Sequence, residues 1–168
     1  MASYNTKHAD KVTLTYAVTI FCDNVPKLFS DNISNGILPL TFTSLNTNQW
    51  TLKNYLTRIN RYCDIQSIHI YATIYQWLLL IKSRNYLFNQ TNIYSIIGTM
   101  TILFSKMYYD EFYEMRVYAR ILDINSQDLY GMEITMFSAL GWNLYVKYDT
   151  CVFIKLLDDT MITERQIP

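Results

Sequence analysis

The chain contains few residue types that could carry out acid–base, nucleophilic or metal chemistry, and they lie far apart. Its two histidines are His8, near the N-terminus, and His69, at the start of an apolar segment; neither falls in a recognisable catalytic motif. The cysteines Cys22, Cys63 and Cys151 form neither a Cys-x-x-Cys pair nor a zinc-binding spacing. The acidic residues show no metal-ligand spacing. The sequence therefore predicts no enzyme, no cofactor and no metal site.

Two charged side chains lie on surfaces that helical spacing predicts to be apolar. Lys106 follows Ile102 by one helical turn, and Glu133 lies between Leu129 and Phe137 on one stripe. Burying a charge is costly unless it is paired. One interpretation is that both charges reach solvent or pair with each other inside the fold. The other is that both border an apolar surface for a partner, where desolvated charges set orientation and specificity.

The composition is that of a globular domain with a sizeable core. Of 168 residues, 51% are hydrophobic and 17% charged. The 14 basic and 14 acidic residues balance, so no net charge favours nucleic acid or an anionic membrane. The longest apolar runs, 71–81 and 93–104, are shorter than the ~20 residues of a membrane span. With few cysteines and no clear secretion signal, we expect a reducing location, cytoplasmic and/or nuclear.

The elements that must position Lys106 and Glu133 are predicted to be helices. Apolar residues recur at helical spacing, whereas Gly and Pro number only 4 and 3, which disfavours an all-β fold. The predicted fold is all-α, a bundle of five consecutive helices around a central buried one. These helices are 50–62, a second one capped by Asp64 and ending near Ser83, 92–107, 112–121, and a last one capped by Asn125 and ended by Gly141. The second is apolar nearly all round, which predicts that it is the central helix.

Three regions follow from this organisation. Residues 1–46 are expected to form an N-terminal extension, partly irregular, with one helix or two short ones over 12–30. Residues 47–146 hold the five helices. Residues 147–168 form a C-terminal tail with room for one short helix.

The segment that begins at Lys106 resembles a known family. It reads "KMYYDEFYEMRVYARILDI" and continues "NSQDLYGME". This is similar, without a gap, to the P/U-type cyclin pattern "KFxDDxYYNNxYYARVGGI", which a short spacer separates from "ELNRLE". Upstream, "YLTRINRY", "ATIY" and "TNIYSIIGT" fall where that class has its first three helices, and "LGWNLYV" resembles the close of its box. On these residues the chain is identified as a member of the cyclin family with a single cyclin box over 47–146.

The resemblance implies a regulatory subunit that binds and activates a cyclin-dependent protein kinase, as a heterodimer. In cyclins, the Lys and Glu at the positions of Lys106 and Glu133 contact the kinase around its regulatory helix. The resulting kinase-binding candidates are Lys106, Tyr109, Asp110, Tyr113, Tyr118, Arg120 and Glu133. For Tyr118 and Arg120 an internal structural role is an equal alternative.

The sequence departs from the family pattern at several positions. Arg58 matches the box arginine, a structural residue, but its usual aspartate partner is replaced by Trp77. Arg58 must therefore find another acceptor or reach water. The Asn-Asn and Gly-Gly pairs of the class are replaced at 114–115 and 122–123, which puts contact detail and partner identity in doubt.

Two other function classes are alternatives to a kinase regulator. A cyclin-fold adaptor without a kinase, as among general transcription factors, usually carries two boxes and a basic face. This chain has one box and balanced charge, which favours the kinase regulator. An enzyme is disfavoured by the absence of a catalytic motif.

Overall fold

The structure is a computed structural model that describes residues 18–19, 21–23, 51–63, 65, 67–83, 92–146 and 155. Every regular element among these residues is a helix, which confirms the predicted all-α fold. The five helices of the box are α1 (Leu52–Cys63), α2 (Ser67–Ser83), α3 (Ile93–Tyr108), α4 (Met115–Leu122) and α5 (Ser126–Ala139). The predicted cap at Asp64, most of the N-terminal extension and nearly all of the C-terminal tail lie outside the described residues.

The central helix is α3, and the prediction that the second helix holds this position is wrong. Helix α3 packs against α1, α2, α4 and α5, and every residue from Ser95 to Ser105 is buried. Helix α2 packs chiefly against α3. Helix α2 is also apolar on a second side, because Trp77 is fully buried there and its ring meets the ring of Phe21 edge-on at 4.9 Å. A segment that precedes the box therefore covers α2. This is why α2 is apolar nearly all round although it is not the central helix.

Gly98 lets α1 and α4 approach α3 closely. A Cβ atom at this position would collide with the hydroxyl of Tyr55 on α1 and would lie 3.0 Å from Leu122 Cδ2 on α4. Glycine is the residue that allows so close an approach. The contact fixes α1 and α4 on α3, and α4 carries Tyr118 to its place near the end of α3.

The turn from α4 to α5 sets the position of Glu133. Asp123 adopts a left-handed conformation with φ 60°, and the Ile124 N–H returns to the Ala119 carbonyl at 3.0 Å, which closes the end of α4. Asn125 then caps α5, because its side chain accepts a hydrogen bond from the Asp128 N–H at 2.7 Å. The predicted cap is thus confirmed.

Candidate partner-binding face

Lys106 and Glu133, the two charged residues predicted on apolar helix surfaces, form an ion pair with each other. Lys106 lies in the last turn of α3, Glu133 lies within α5, and Lys106 Nζ is 2.6 Å from Glu133 Oε1. Their side chains are 18% and 10% exposed. The pairing predicted as the internal alternative is therefore present, and it lies at the rim of the fold, because part of each side chain still reaches solvent.

Tyr118 packs against the lysine of this pair. Its ring is buried, and its centroid lies 5.2 Å from Lys106 Nζ, within the range of a cation–π interaction. The Tyr113 N–H donates a hydrogen bond to the Tyr118 hydroxyl at 3.3 Å, and the two rings meet edge-on at 5.8 Å. Burial raises the pKa of Tyr118, although the hydrogen bond from the Tyr113 N–H opposes that rise. Tyr118 therefore holds Lys106 and Tyr113 in place from inside the fold.

The segment between α3 and α4 carries three other predicted residues. Tyr109 is half-buried, and its ring lies 5.0 Å from the ring of the buried His69, which places this histidine in the core. Asp110 is exposed. Tyr113 is 47% exposed, although its ring rests on Tyr118. The segment thus presents the Asp110 carboxylate and part of the Tyr113 ring to solvent.

Arg58 and Arg120 are joined through the backbone. Arg58 Nη2 donates a hydrogen bond to the Arg120 carbonyl at 3.4 Å, so Arg58 has found another acceptor in place of the missing aspartate. Its side chain ties α1 to the C-terminal end of α4, where the negative end of the helix dipole attracts a cation. The Arg120 side chain itself is exposed on α4.

An apolar strip along α5 was missed by the sequence analysis. Tyr130 and Ile134 are 58% and 44% exposed. Residues 130, 133, 134 and 137 share one side of the helix, so this strip adjoins Glu133. At its end the ring of Phe137 stacks on Trp142 at 5.6 Å. The sequence contained one signal for this strip: Tyr130 and Ile134 are large apolar residues that fall outside the spacing of the core residues 129, 132 and 136.

Other exposed apolar side chains lie close to Lys106 in the sequence. They belong to the end of α3 and the segment after it, and they are Met107, Tyr108, Phe112 and Tyr113. We define the Lys106–Glu133 face as the ion pair together with these four residues and with Tyr130 and Ile134 of α5. Apolar and aromatic groups around a few fixed charges are typical of protein–protein interfaces.

Two further observations concern only the described part of the chain. Within it, no group of three or more His, Cys, Asp or Glu side chains stands close enough to hold a metal ion. Over the same residues, no helix has both the length and the apolar character needed to cross a membrane.

Comparison with known proteins points to one family. The cyclin family model matches residues 4–144. The chain is similar to Cyclin-U4-3 of Arabidopsis thaliana, with 26% identity over 131 residues, which are 75% of this chain and 60% of that protein. It is also similar to Cyclin-U2-1 of the same plant, with 25% identity over 97 residues, 57% of this chain and 44% of that protein. The chain therefore spans 60% or less of these curated relatives. The resemblance predicted from the sequence is confirmed.

Proposed function

This chain belongs to the cyclin family, and we propose that it is the regulatory subunit of a cyclin-dependent protein kinase. It binds and activates that kinase as a heterodimer through the Lys106–Glu133 face. The observation that carries the proposal is the rim position of the 2.6 Å ion pair, at the two positions through which cyclins contact their kinase. The chain supplies no catalytic group of its own, and it acts in the cytoplasm and/or the nucleus.

The ion pair supports this proposal because stability alone accounts poorly for it. A partly buried pair rarely stabilises a fold more than apolar residues of the same size would, because desolvating two charges is costly. A fixed pair at a rim has another use, since a partner that covers it removes the remaining water and strengthens its electrostatic effect. The exposed aromatic rings of Phe112 and Tyr130 provide apolar area to anchor the partner.

The helices present this face in a fixed arrangement. Lys106 and Glu133 belong to α3 and α5, which pack directly against each other, and Tyr118 fixes the lysine from inside. A preorganised surface loses little entropy on binding. Activation then follows when this rigid surface binds the active conformation of the kinase's regulatory helix better than the inactive one and so shifts the population.

The remaining candidates act around the ion pair. Asp110 is an exposed carboxylate next to the apolar part of the face, and charges at an interface rim mainly set specificity and association rate. Tyr109 and Tyr113 provide half-exposed rings on the same segment. Arg120 lies farther along α4 and serves as a peripheral contact. Tyr118 is a positioning residue that acts through Lys106.

The test is affinity capture from a lysate of the cells that produce the chain. The baits are the wild type, the charge-swapped variant Lys106→Glu/Glu133→Lys, and a control, Lys53→Glu. The swap keeps the internal ion pair but inverts its direction toward a partner. The control reverses an exposed lysine on α1, a helix that packs against α3 and α4. Mass spectrometry identifies the captured proteins, and a phosphorylation assay measures their kinase activity.

A kinase that binds the wild type and the Lys53→Glu control, but not the folded swap, supports the proposal. Reversing a desolvated interfacial charge is expected to cost several kcal/mol, so capture should fall by about a hundredfold or more. If no kinase binds the wild type, the chain is a cyclin-fold adaptor instead. If the swap captures the kinase as well as the wild type does, the interface lies on another surface.

A further inference from the structure

A cavity of about 310 Å³ opens at the part of the Lys106–Glu133 face that holds Phe112 and Tyr113, between the C-terminal ends of α1 and α3 and the segment that joins α3 to α4. Four aromatic rings line it, those of Tyr109, Phe112, Tyr113 and Tyr118. Among the described residues that line it, Glu111 carries the one charged side chain. The faces of aromatic rings carry partial negative charge, so rings around a carboxylate form an electronegative environment.

The cavity is accessible from solvent and closed at its base. Phe112 and Tyr113 are 61% and 47% exposed, and Glu111 is also exposed. Tyr118 and Cys63 are buried. A ligand can therefore enter past Phe112 and Tyr113 and make contact with the inner rings.

The electrostatics of the cavity favour a cation. Burial raises the pKa of the Cys63 thiol to about 12, so this group is neutral at physiological pH and adds no charge. Lys106 lies against the Tyr118 ring, and its charge is balanced by Glu133 at 2.6 Å. The Tyr118 ring already interacts with one cation, because Lys106 Nζ lies 5.2 Å from its centroid. Negative aromatic faces and the Glu111 carboxylate attract an organic cation more than a neutral molecule of the same shape.

We propose that this cavity binds an organic cation, a quaternary ammonium or guanidinium group, with Glu111 as its counter-ion and the four rings as its cage. The volume is at the small end of ligand pockets, about 300–1,000 Å³, which suits such a group with a short carbon chain. The group is carried either by a soluble amine or by a side chain of a bound partner. Cation binding at this site is a property separate from the proposed kinase regulation, and it can be measured on the chain alone.

The test is a titration of the purified full chain with choline and with 3,3-dimethylbutanol, its neutral isostere, followed by NMR of the aromatic ring protons. Choline is expected to bind saturably at millimolar concentration, and the isostere about tenfold more weakly, because only choline gains the cation–π attraction. Glu111→Gln is expected to weaken choline binding about fivefold while leaving the isostere unchanged. The matched control is Glu114→Gln, because Glu114 does not line the cavity and pairs with Arg116; it should bind choline as the wild type does.

A second variant tests the aromatic cage without disturbing the core. Phe112 is largely exposed, so Phe112→Leu should fold normally, and it should weaken choline binding more than isostere binding. Equal binding of the two probes, equal losses in Glu111→Gln and Glu114→Gln, or no saturable binding would each overturn the proposal. None of these results depends on a kinase, so they would leave the proposed function standing.

Competition identifies the source of the cation. If choline binds and also displaces the captured kinase, the natural occupant is a cationic side chain of that partner. If choline binds and the kinase stays bound, the natural occupant is a soluble amine. Both results require the same site and the same chemistry.

Discussion

Breaking the Lys106–Glu133 pair one residue at a time should destabilise the chain, whereas exchanging the two charges should not. At 2.6 Å and an effective dielectric constant of about 20, the attraction amounts to roughly 6 kcal/mol. Desolvation offsets much of it, since the side chains are only 18% and 10% exposed. Exposed pairs contribute about 0–1 kcal/mol, and removing one partner of a fully buried pair costs about 3–5 kcal/mol. We therefore expect Lys106→Met and Glu133→Gln each to lower the free energy of unfolding by about 2 kcal/mol.

The exchange Lys106→Glu/Glu133→Lys restores an attractive pair at the same place. It loses the contact between the lysine and the Tyr118 ring, which costs about 0.5–1 kcal/mol. The swap should therefore lie within about 1 kcal/mol of the wild type. Urea denaturation measures all four proteins at equal m-value, and thermal unfolding should show a loss of roughly 4–8 °C for each single variant. A swap as unstable as the two single variants combined would refute this reasoning, as would single variants that lose less than about 0.5 kcal/mol.

Three other perturbations follow from the packing and burial of particular residues. Gly98→Ala places a methyl group against the Tyr55 hydroxyl and should cost about 1–3 kcal/mol in urea denaturation, whereas Gly131→Ala, with open space around its Cβ, should be neutral or stabilising by up to about 1 kcal/mol. Asn125→Ala removes the cap of α5 and should cost about 1 kcal/mol by the same measurement, while an unchanged stability would show that the cap contributes nothing. Burial raises the pKa of Cys63 from 9.0 to about 12, so the unfolded chain releases the proton first and stability should fall as pH rises from 9 to 12. Cys63→Ala should show a shallower fall over that range, and parallel pH profiles above pH 9 would contradict the assignment.

The helices were predictable because their apolar residues repeat at a regular spacing. The five predicted helices correspond to the five observed ones, with ends shifted by up to a few residues, most at the start of α4. Asn125 was predictable as a cap because its short side chain can bond to the first-turn N–H groups. The centre of the bundle was not predictable from apolar content, since Trp77 of α2 is buried by Phe21 from outside the box. Contacts between segments distant in sequence leave no local signal.

The candidate site was predictable only in part. The position of a charge on an apolar stripe identifies Lys106 and Glu133 as unusual. The spacing within each helix does not show whether they pair, because the angle at which α3 and α5 pack decides that. The acceptor of Arg58 is a backbone carbonyl, which no side-chain pattern reveals. The cavity next to Tyr118 arises where the 109–114 segment folds back beside α1 and α3. Such a site becomes visible only once the chain is folded.

The most direct test of the central claim is the activity of the captured kinase as purified chain is added to it. If the Lys106–Glu133 face regulates that kinase, the wild type and Lys53→Glu should raise phosphate transfer to a peptide substrate in a saturable way. The charge-swapped variant, folded and of near wild-type stability, should raise it only at concentrations about a hundredfold higher, as expected when a desolvated interfacial charge is reversed. Equal activation by the swap and the wild type would contradict the account, as would a kinase whose activity does not respond to the chain.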